Sequence, residues 1–502
     1  MQKMGPQFLP MGGEDNHESF SGIETAAPRL SRRIHAYIGG NLLFGALLIS
    51  LVALGDSGKT PPTFYLLLLF LLCSTPLLLA GKYNGKYSIL VVFAPMFFMF
   101  YGFADLVSYL PGFTSLSASR SAEFITEGEI AIILGGACLI TGYTFIVSIL
   151  SKSSSSYLSR DWSLATVTIF GVGLWLIGLW ATWTWQLSYS DTRVRTVQDS
   201  LLTTTLTLLR MLQPVGSALL AYSFLKSRRL PLLCLVILCM VVELPFGLMV
   251  DSKELAIRTA IIFVFSKWLF DGYVPYRWMT IAAIVIVAAF PIFQSYRYEV
   301  LQTRSNTREK AVQNFSKSLE TALDSKASGK ENELTKGIRG LSGRINLKGN
   351  MERIVRETGS VVPFQNGYTI SLVAYALIPR FILPDKPDSS VGQLFNRQFK
   401  ISLDPDTYIS ATHMGELFWN YGWPGLIVGM FIIGCIMGGL SCIASMDNHK
   451  SVTRLLLLVT TVYLLCLRFE GGIALQYTLW IRSLILIFIL HFFFRRRSTA
   501  TR

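Results

Sequence analysis

The chain has 502 residues, 51% of them hydrophobic and only 15% charged. That balance excludes a soluble protein of two or three domains. The formal net charge of +14 lies mainly in loops beside apolar runs, which assigns it to topology signals and lipid headgroup contact rather than to nucleic acid.

The first thirty residues lack the basic start, short apolar stretch and cleavage site of a signal peptide. Residues 1–35 read as a disordered cytoplasmic tail. Apolar runs near the length that crosses about 30 Å of hydrocarbon follow. They predict twelve spans near 36–54, 62–80, 87–105, 129–150, 164–187, 205–225, 230–249, 255–271, 278–295, 423–445, 452–467 and 478–494. Lys253, Glu254 and Arg258 crowd the start of the eighth. The fold class is an all-α polytopic membrane protein: a bundle over 36–295, a long loop over 296–422, a second bundle over 423–494 and a basic tail over 495–502. No internal repeat is evident, which weighs against transporter folds built from repeats. The seven cysteines (Cys73, Cys138, Cys234, Cys239, Cys435, Cys442 and Cys466) fall in or beside apolar segments without a CxxC pair, so neither disulfides nor zinc is expected.

Lys and Arg in the short loops set the orientation. Arg29, Arg32 and Arg33 precede the first span. Alternate loops carry Lys82 and Lys86, Lys152 and Arg160, Lys226 with Arg228 and Arg229, Lys267 and Arg277, and Lys450 with Arg454. With twelve spans all of these share the cytoplasmic side with both termini, and the 296–422 loop lies outside. That loop is long and mixed in charge. Val312, Phe315, Leu319 and Leu323 recur at helical spacing after Ser305-Asn306-Thr307 and predict an amphipathic helix. A second short helix is expected near 351–357. The apolar segment 368–383 is expected to be re-entrant or to pack in the outer leaflet. Pro384, Pro387 and Pro405 mark turns after it.

His413 is the first candidate for chemistry, in the approach to the tenth span. Imidazole suits proton removal near neutral pH. Glu416, three residues on, shares a helical face with it and is placed to orient the ring or to act as the base. The alternative is a histidine and glutamate wetted at a helix end. Asp56 in the first outer loop and Asp105, Glu123, Glu127 and Glu129 in the next read as a solvated rim. There is no Walker A motif, GxSxG, HExxH or paired His/Cys metal spacing; no cofactor and no metal is expected.

The pattern His413-x-x-x-Leu417-x-x-x-x-Gly422-x-x-Gly425 resembles the motif that follows the large periplasmic loop of O-antigen polymerases and O-antigen ligases. The run Pro379-Arg380-Phe381-Ile382-Leu383-Pro384-Asp385-Lys386-Pro387 is similar to a stretch in oligosaccharide repeat-unit polymerases. Asp251-Ser252-Lys253 resembles the family's Ser-Arg motif with lysine in place of arginine, and lysine cannot form a bidentate fork. Arg356 and Gly367 match a further spacing in such loops. The resemblance implies a GT-C-type membrane glycosyltransferase of a bacterial inner membrane. It would join glycans carried on undecaprenyl diphosphate, by metal-independent inversion at the outer face. His413, with Glu416, would take the acceptor proton. Guanidinium groups stabilise a departing diphosphate through charge-assisted hydrogen bonds. Arg380, Arg258, Lys253, Arg195, Arg297 and Arg468 are the diphosphate candidates, with Arg193 and Arg482 behind them. Arg258 and Arg482 stand out because they lie inside spans. Tyr368, Trp419 and Tyr421 are candidates to stack on sugar, although Tyr and Trp also populate membrane interfaces without ligand. Expected partners are membrane lipid, a chain-length regulator and a flippase. The alternatives are a ligase that moves finished glycan to lipid A core or protein, and a flippase of lipid-linked oligosaccharide.

Overall fold

The structure is a computed structural model. It describes residues 61–83, 88–108, 125–150, 162–190, 198–249, 253–272, 346–378, 391–403, 407–445 and 450–494, with a few isolated positions between them. The expected spans at 36–54 and, but for one position, 278–295 lie outside the described residues, as do the amphipathic helix at 312–323 and both tails.

The described residues are helical, and their one extended feature is an isolated bridge between Thr358 and Val362. The helices are α1 (Pro61–Tyr83), α2 (Ser88–Tyr101), α3 (Phe103–Ser108), α4 (Glu127–Leu150), α5 (Leu164–Ser190), α6 (Gln198–Arg210), α7 (Leu212–Ser227), α8 (Leu230–Met249), α9 (Lys253–Asp271), α10 (Lys348–Glu357), α11 (Tyr368–Leu377), α12 (Val391–Phe399), α13 (Thr412–Ile443), α14 (Val452–Thr461) and α15 (Ile473–Phe494). Helix α14 runs on as a π-helix over Val462–Leu467. Among the described residues, five stretches are long and apolar enough to cross a membrane: Glu127–Leu150, Leu164–Trp185, Thr205–Ser227, Thr412–Ile443 and Ile473–Phe494. By length and composition this is a helical membrane protein.

Helices α4 and α13 make the most intimate pair. An added Cβ on Gly142 or Gly434 would run into the carbonyls of Phe431 and Leu139, and one on Gly438 would lie 2.7 Å from the carbonyl of Tyr143. Small residues let the two backbones approach where hydrocarbon surroundings give no hydrophobic drive for association. A second group, α5 with α7, α8 and α9, buries Trp175, Leu179, Leu220, Val236 and Phe263.

The helix near 351–357 is present as α10, starting three residues earlier. Its Lys348 ammonium lies 2.8 Å from Asp105 and 2.5 Å from Glu129, and 4.8 Å above the Tyr65 ring. Burial disfavours that charge, but Asp105 and Glu129 outweigh it and hold the Lys348 pKa above its ordinary value. Asp105 and Glu129 are therefore not a solvated rim; they pin α10 to α3 and to the start of α4. Segment 368–383 yields α11, which ends at Leu377 and packs against α15.

The helix that carries the tenth span starts at Thr412, so the His413 motif is itself helical ahead of the expected start near 423. The helix breaks at Gly422, whose φ of 63° and ψ of −147° are non-helical, in a region where only glycine is free of strain. Pro424 has no N–H to give the carbonyl of Asn420. That carbonyl instead accepts from Asn366 N at 3.2 Å, and the Trp419 carbonyl accepts from Gln365 N at 3.0 Å. The Asn420 side chain completes the join: its Oδ1 accepts from Gly367 N at 2.9 Å and its Nδ2 donates to Thr369 Oγ1 at 2.7 Å.

Candidate functional site

Two polar clusters meet at the end of the bundle covered by α10–α12, on either side of the turn at residues 468–472. The first gathers three arginines. Arg468 donates to Glu254 at 2.8 Å, and Arg258 stands 3.5 Å from the same carboxylate. The Tyr463 hydroxyl also donates to Glu254. Arg210, at the end of α6, lies in the electrostatic field of Arg258 and Arg468 and rests 4.1 Å over the Trp185 ring.

Behind them, Glu243 is fully buried on α8. It accepts from Trp175 Nε1 at 2.7 Å, Gln213 Nε2 at 2.7 Å, Thr259 N at 2.9 Å and Thr259 Oγ1 at 2.6 Å. Arg258 in turn donates to Gln213 Oε1 at 3.0 Å, while its Nε has no protein partner. Three guanidiniums thus stand among three carboxylates, Glu254, Glu243 and Glu470, of which Glu243 is saturated by neighbouring donors. Ionisable groups at membrane depth persist where they pair with each other or serve a ligand. Arg210 and Glu243 were not among the candidates. The signal was present: both interrupt apolar runs, at 205–225 and 230–249, as Arg258 interrupts 255–271.

The second cluster surrounds His413. Its ring is enclosed, with Phe469 edge-on at 4.7 Å and Tyr477 at 5.6 Å between centroids. Neither ring nitrogen has a protein hydrogen-bond partner. Glu416 therefore does not orient the imidazole; its Oε2 accepts from Ile473 N at 2.7 Å, at the free N-terminus of α15. The Tyr477 hydroxyl and Gln476 Oε1 are likewise buried without protein partners. Glu416 Oε1 is a fifth such atom beside the His413 nitrogens, on α13 and α15, and each costs about 1–3 kcal/mol when left unmet.

The remaining candidates divide. Arg380, Arg297, Arg193 and Arg195 lie outside the described residues. Lys253 opens α9, but its side chain is not described. Arg482 donates to the carbonyl of Ala376 at 2.5 Å, capping the end of α11. Trp419 is fully buried among Phe395 and Phe399 at 5.7 and 5.4 Å, so its faces pack the core and are closed to a sugar. Tyr368 and Tyr421 are exposed, and the Tyr421 hydroxyl abuts Gly367. Gly367, at a φ of 88°, has its place through that contact and its bond to Asn420. Arg356 is exposed and pairs with Glu357 at 3.2 Å.

Among the described residues no group of three or more His, Cys, Asp or Glu side chains is arranged to hold a metal ion. No curated protein and no solved structure matches the chain. A family described as a domain of unknown function, DUF8712, matches residues 87–446, well over half of the length, and the chain belongs to that family.

Proposed function

We propose that this protein is a membrane glycosyltransferase of the GT-C type that lengthens glycans carried on a polyprenyl diphosphate. The observation that carries this reading is the gathering of three guanidiniums: Arg258 and Arg468 share the Glu254 carboxylate, and Arg210 lies in their field. A diphosphate is an anion that such a cluster can hold, and fixed guanidiniums stabilise it most as the leaving group gains charge. His413, with both ring nitrogens uncommitted, is the group assigned to take the acceptor proton. Phe469 and Tyr477 cover its ring, so the reading requires the 468–472 turn to lift when substrate binds. The same reading takes twelve spans in a bacterial inner membrane, both termini inside, and α10–α12 on the outer face.

The test uses purified protein in lipid nanodiscs with lipid-linked glycan extracted from the host's own membranes. Lengthened products should form, and Arg258→Gln should slow them about a hundredfold. His413→Ala should abolish lengthening in a stably folded variant. Wild-type protein that leaves the glycan unchanged, or moves it across a bilayer without making a bond, would overturn the reading. Transfer to lipid A core in place of a second repeat unit would make it a ligase.

A further inference from the structure

The five orphaned polar atoms beneath the 468–472 turn are not used by the arginine cluster, and two of them, on Gln476 and Tyr477, belong to residues with no assigned role. His413 and Tyr477 face one another across 5.6 Å from α13 and α15. Tyr477 lies within electrostatic range of Glu416. Gln476, one residue earlier on α15, packs against Gly471 of the turn itself. The His413 nitrogens, the Tyr477 hydroxyl and Gln476 Oε1 all lack protein partners.

The π-helix over Val462–Leu467 leads straight into this turn, and such irregular helix turns are frequent at functional sites. On the turn, Arg468 binds Glu254 on the diphosphate side while Phe469 seals His413 on the other. Buried donors and acceptors held without partners beside a group able to take a proton form a site for a hydroxylated ligand, since hydroxyls both donate and accept.

We propose that Tyr477 and Gln476 bind the acceptor sugar, the Tyr477 hydroxyl and Gln476 amide engaging hydroxyls next to the one that reacts at His413. This rests on the glycosyltransferase reading. In the step, the acceptor oxygen bonds to the anomeric carbon and the bond from that carbon to the diphosphate oxygen breaks. The electron pair leaves with the diphosphate, and the acceptor proton passes to His413.

Tyr477→Phe tests the proposal, because it removes only an oxygen that has no hydrogen-bond partner among the described residues. With lipid-linked glycan from the host's membranes, the variant should fold and melt as wild type does. It should still release diphosphate, with water replacing the acceptor. The ratio of glycan transferred to glycan hydrolysed should fall roughly tenfold, the loss of one substrate hydrogen bond. Gln476→Met should shift the ratio the same way.

An unchanged ratio in both variants overturns the proposal while leaving the glycosyltransferase reading intact. A Tyr477→Phe variant that melts far below wild type also overturns it, because the hydroxyl then has a structural partner. Wild-type protein that makes no glycosidic bond overturns the underlying reading and this one together.

Discussion

Arg468 donates to Glu254 across 2.8 Å, tying the end of the π-helix to the start of α9. The same carboxylate holds Arg258 and accepts from Tyr463. One anion therefore keeps several cations together at the end of the bundle.

Replacing that anion should show the strain. Glu254→Gln leaves Arg258 and Arg468 without their shared carboxylate, with Arg210 in the same field. The variant should lose roughly 2 kcal/mol of stability, allowing for the partial exposure of the pair. Inorganic diphosphate should restore part of the loss. Thermal unfolding in detergent, with and without diphosphate, reads both effects; a variant that melts like wild type would mean the three cations do not repel.

Lys348→Met should detach α10. It leaves the Glu129 carboxylate buried beside Asp105 with no cation between them, at a cost of roughly 3 kcal/mol. Backbone hydrogen exchange over 347–357 should quicken. Because the folded pKa of Lys348 lies above its ordinary value, the pin is fully present below the ordinary lysine pKa. It weakens only as pH rises through the folded value. Exchange in the wild type should therefore show no Lys348-dependent change across about pH 6 to 9. A pH-dependent release within that window would contradict the assignment.

Gly434→Ala should cost about 1–3 kcal/mol, the usual penalty of overpacking, because its Cβ runs into the carbonyl of Leu139. Gly173→Ala is the control. Its Cβ would meet nothing within 4 Å, and alanine is the better helix former by about 1 kcal/mol. Equal melting temperatures for the two variants would refute the close pairing of α4 and α13.

Pro424→Ala restores an N–H that can reach the Asn420 carbonyl, in competition with Asn366. Gly422→Ala places a side chain at a φ of 63°, a strain of roughly 1–3 kcal/mol. Both should loosen residues 365–369 more than the spans. Limited proteolysis near 359–367 is the measurement, and cleavage no faster than in wild type would count against the break as the anchor.

The apolar runs were legible because span length is a matter of composition: Glu127–Leu150, Leu164–Trp185 and Thr205–Ser227 fall close to the runs that predict them. The start of α13 was not. The apolar run places the span near 423, whereas helical turns precede it from Thr412 and join it across the break at Gly422, their orphaned carbonyls taken by another segment. His413 and Glu416 were found by residue type and spacing, but the pair that spacing suggested does not form; Glu416 turns to Ile473 and His413 to aromatic rings. Arg210 and Glu243 were readable by the argument that selected Arg258, since a charge inside an apolar run needs a partner. Which partner it takes is set by helix packing, and no periodicity encodes that. Lys348 meeting Glu129 across more than two hundred residues is of the same kind.

The break at Gly422 has a consequence for how the segment before α13 can change. Gln365 and Asn366 are fastened to α13 through their own amide hydrogens, so the attachment itself reads neither side chain. Asn366 sits at a φ of 47°, where asparagine, aspartate or glycine is favoured, and Gly367, Thr369 and Asn420 carry the rest of the demand for identity. Position 365, whose side chain reaches Pro363 and Gln398, can be rewritten while the fastening keeps its alignment.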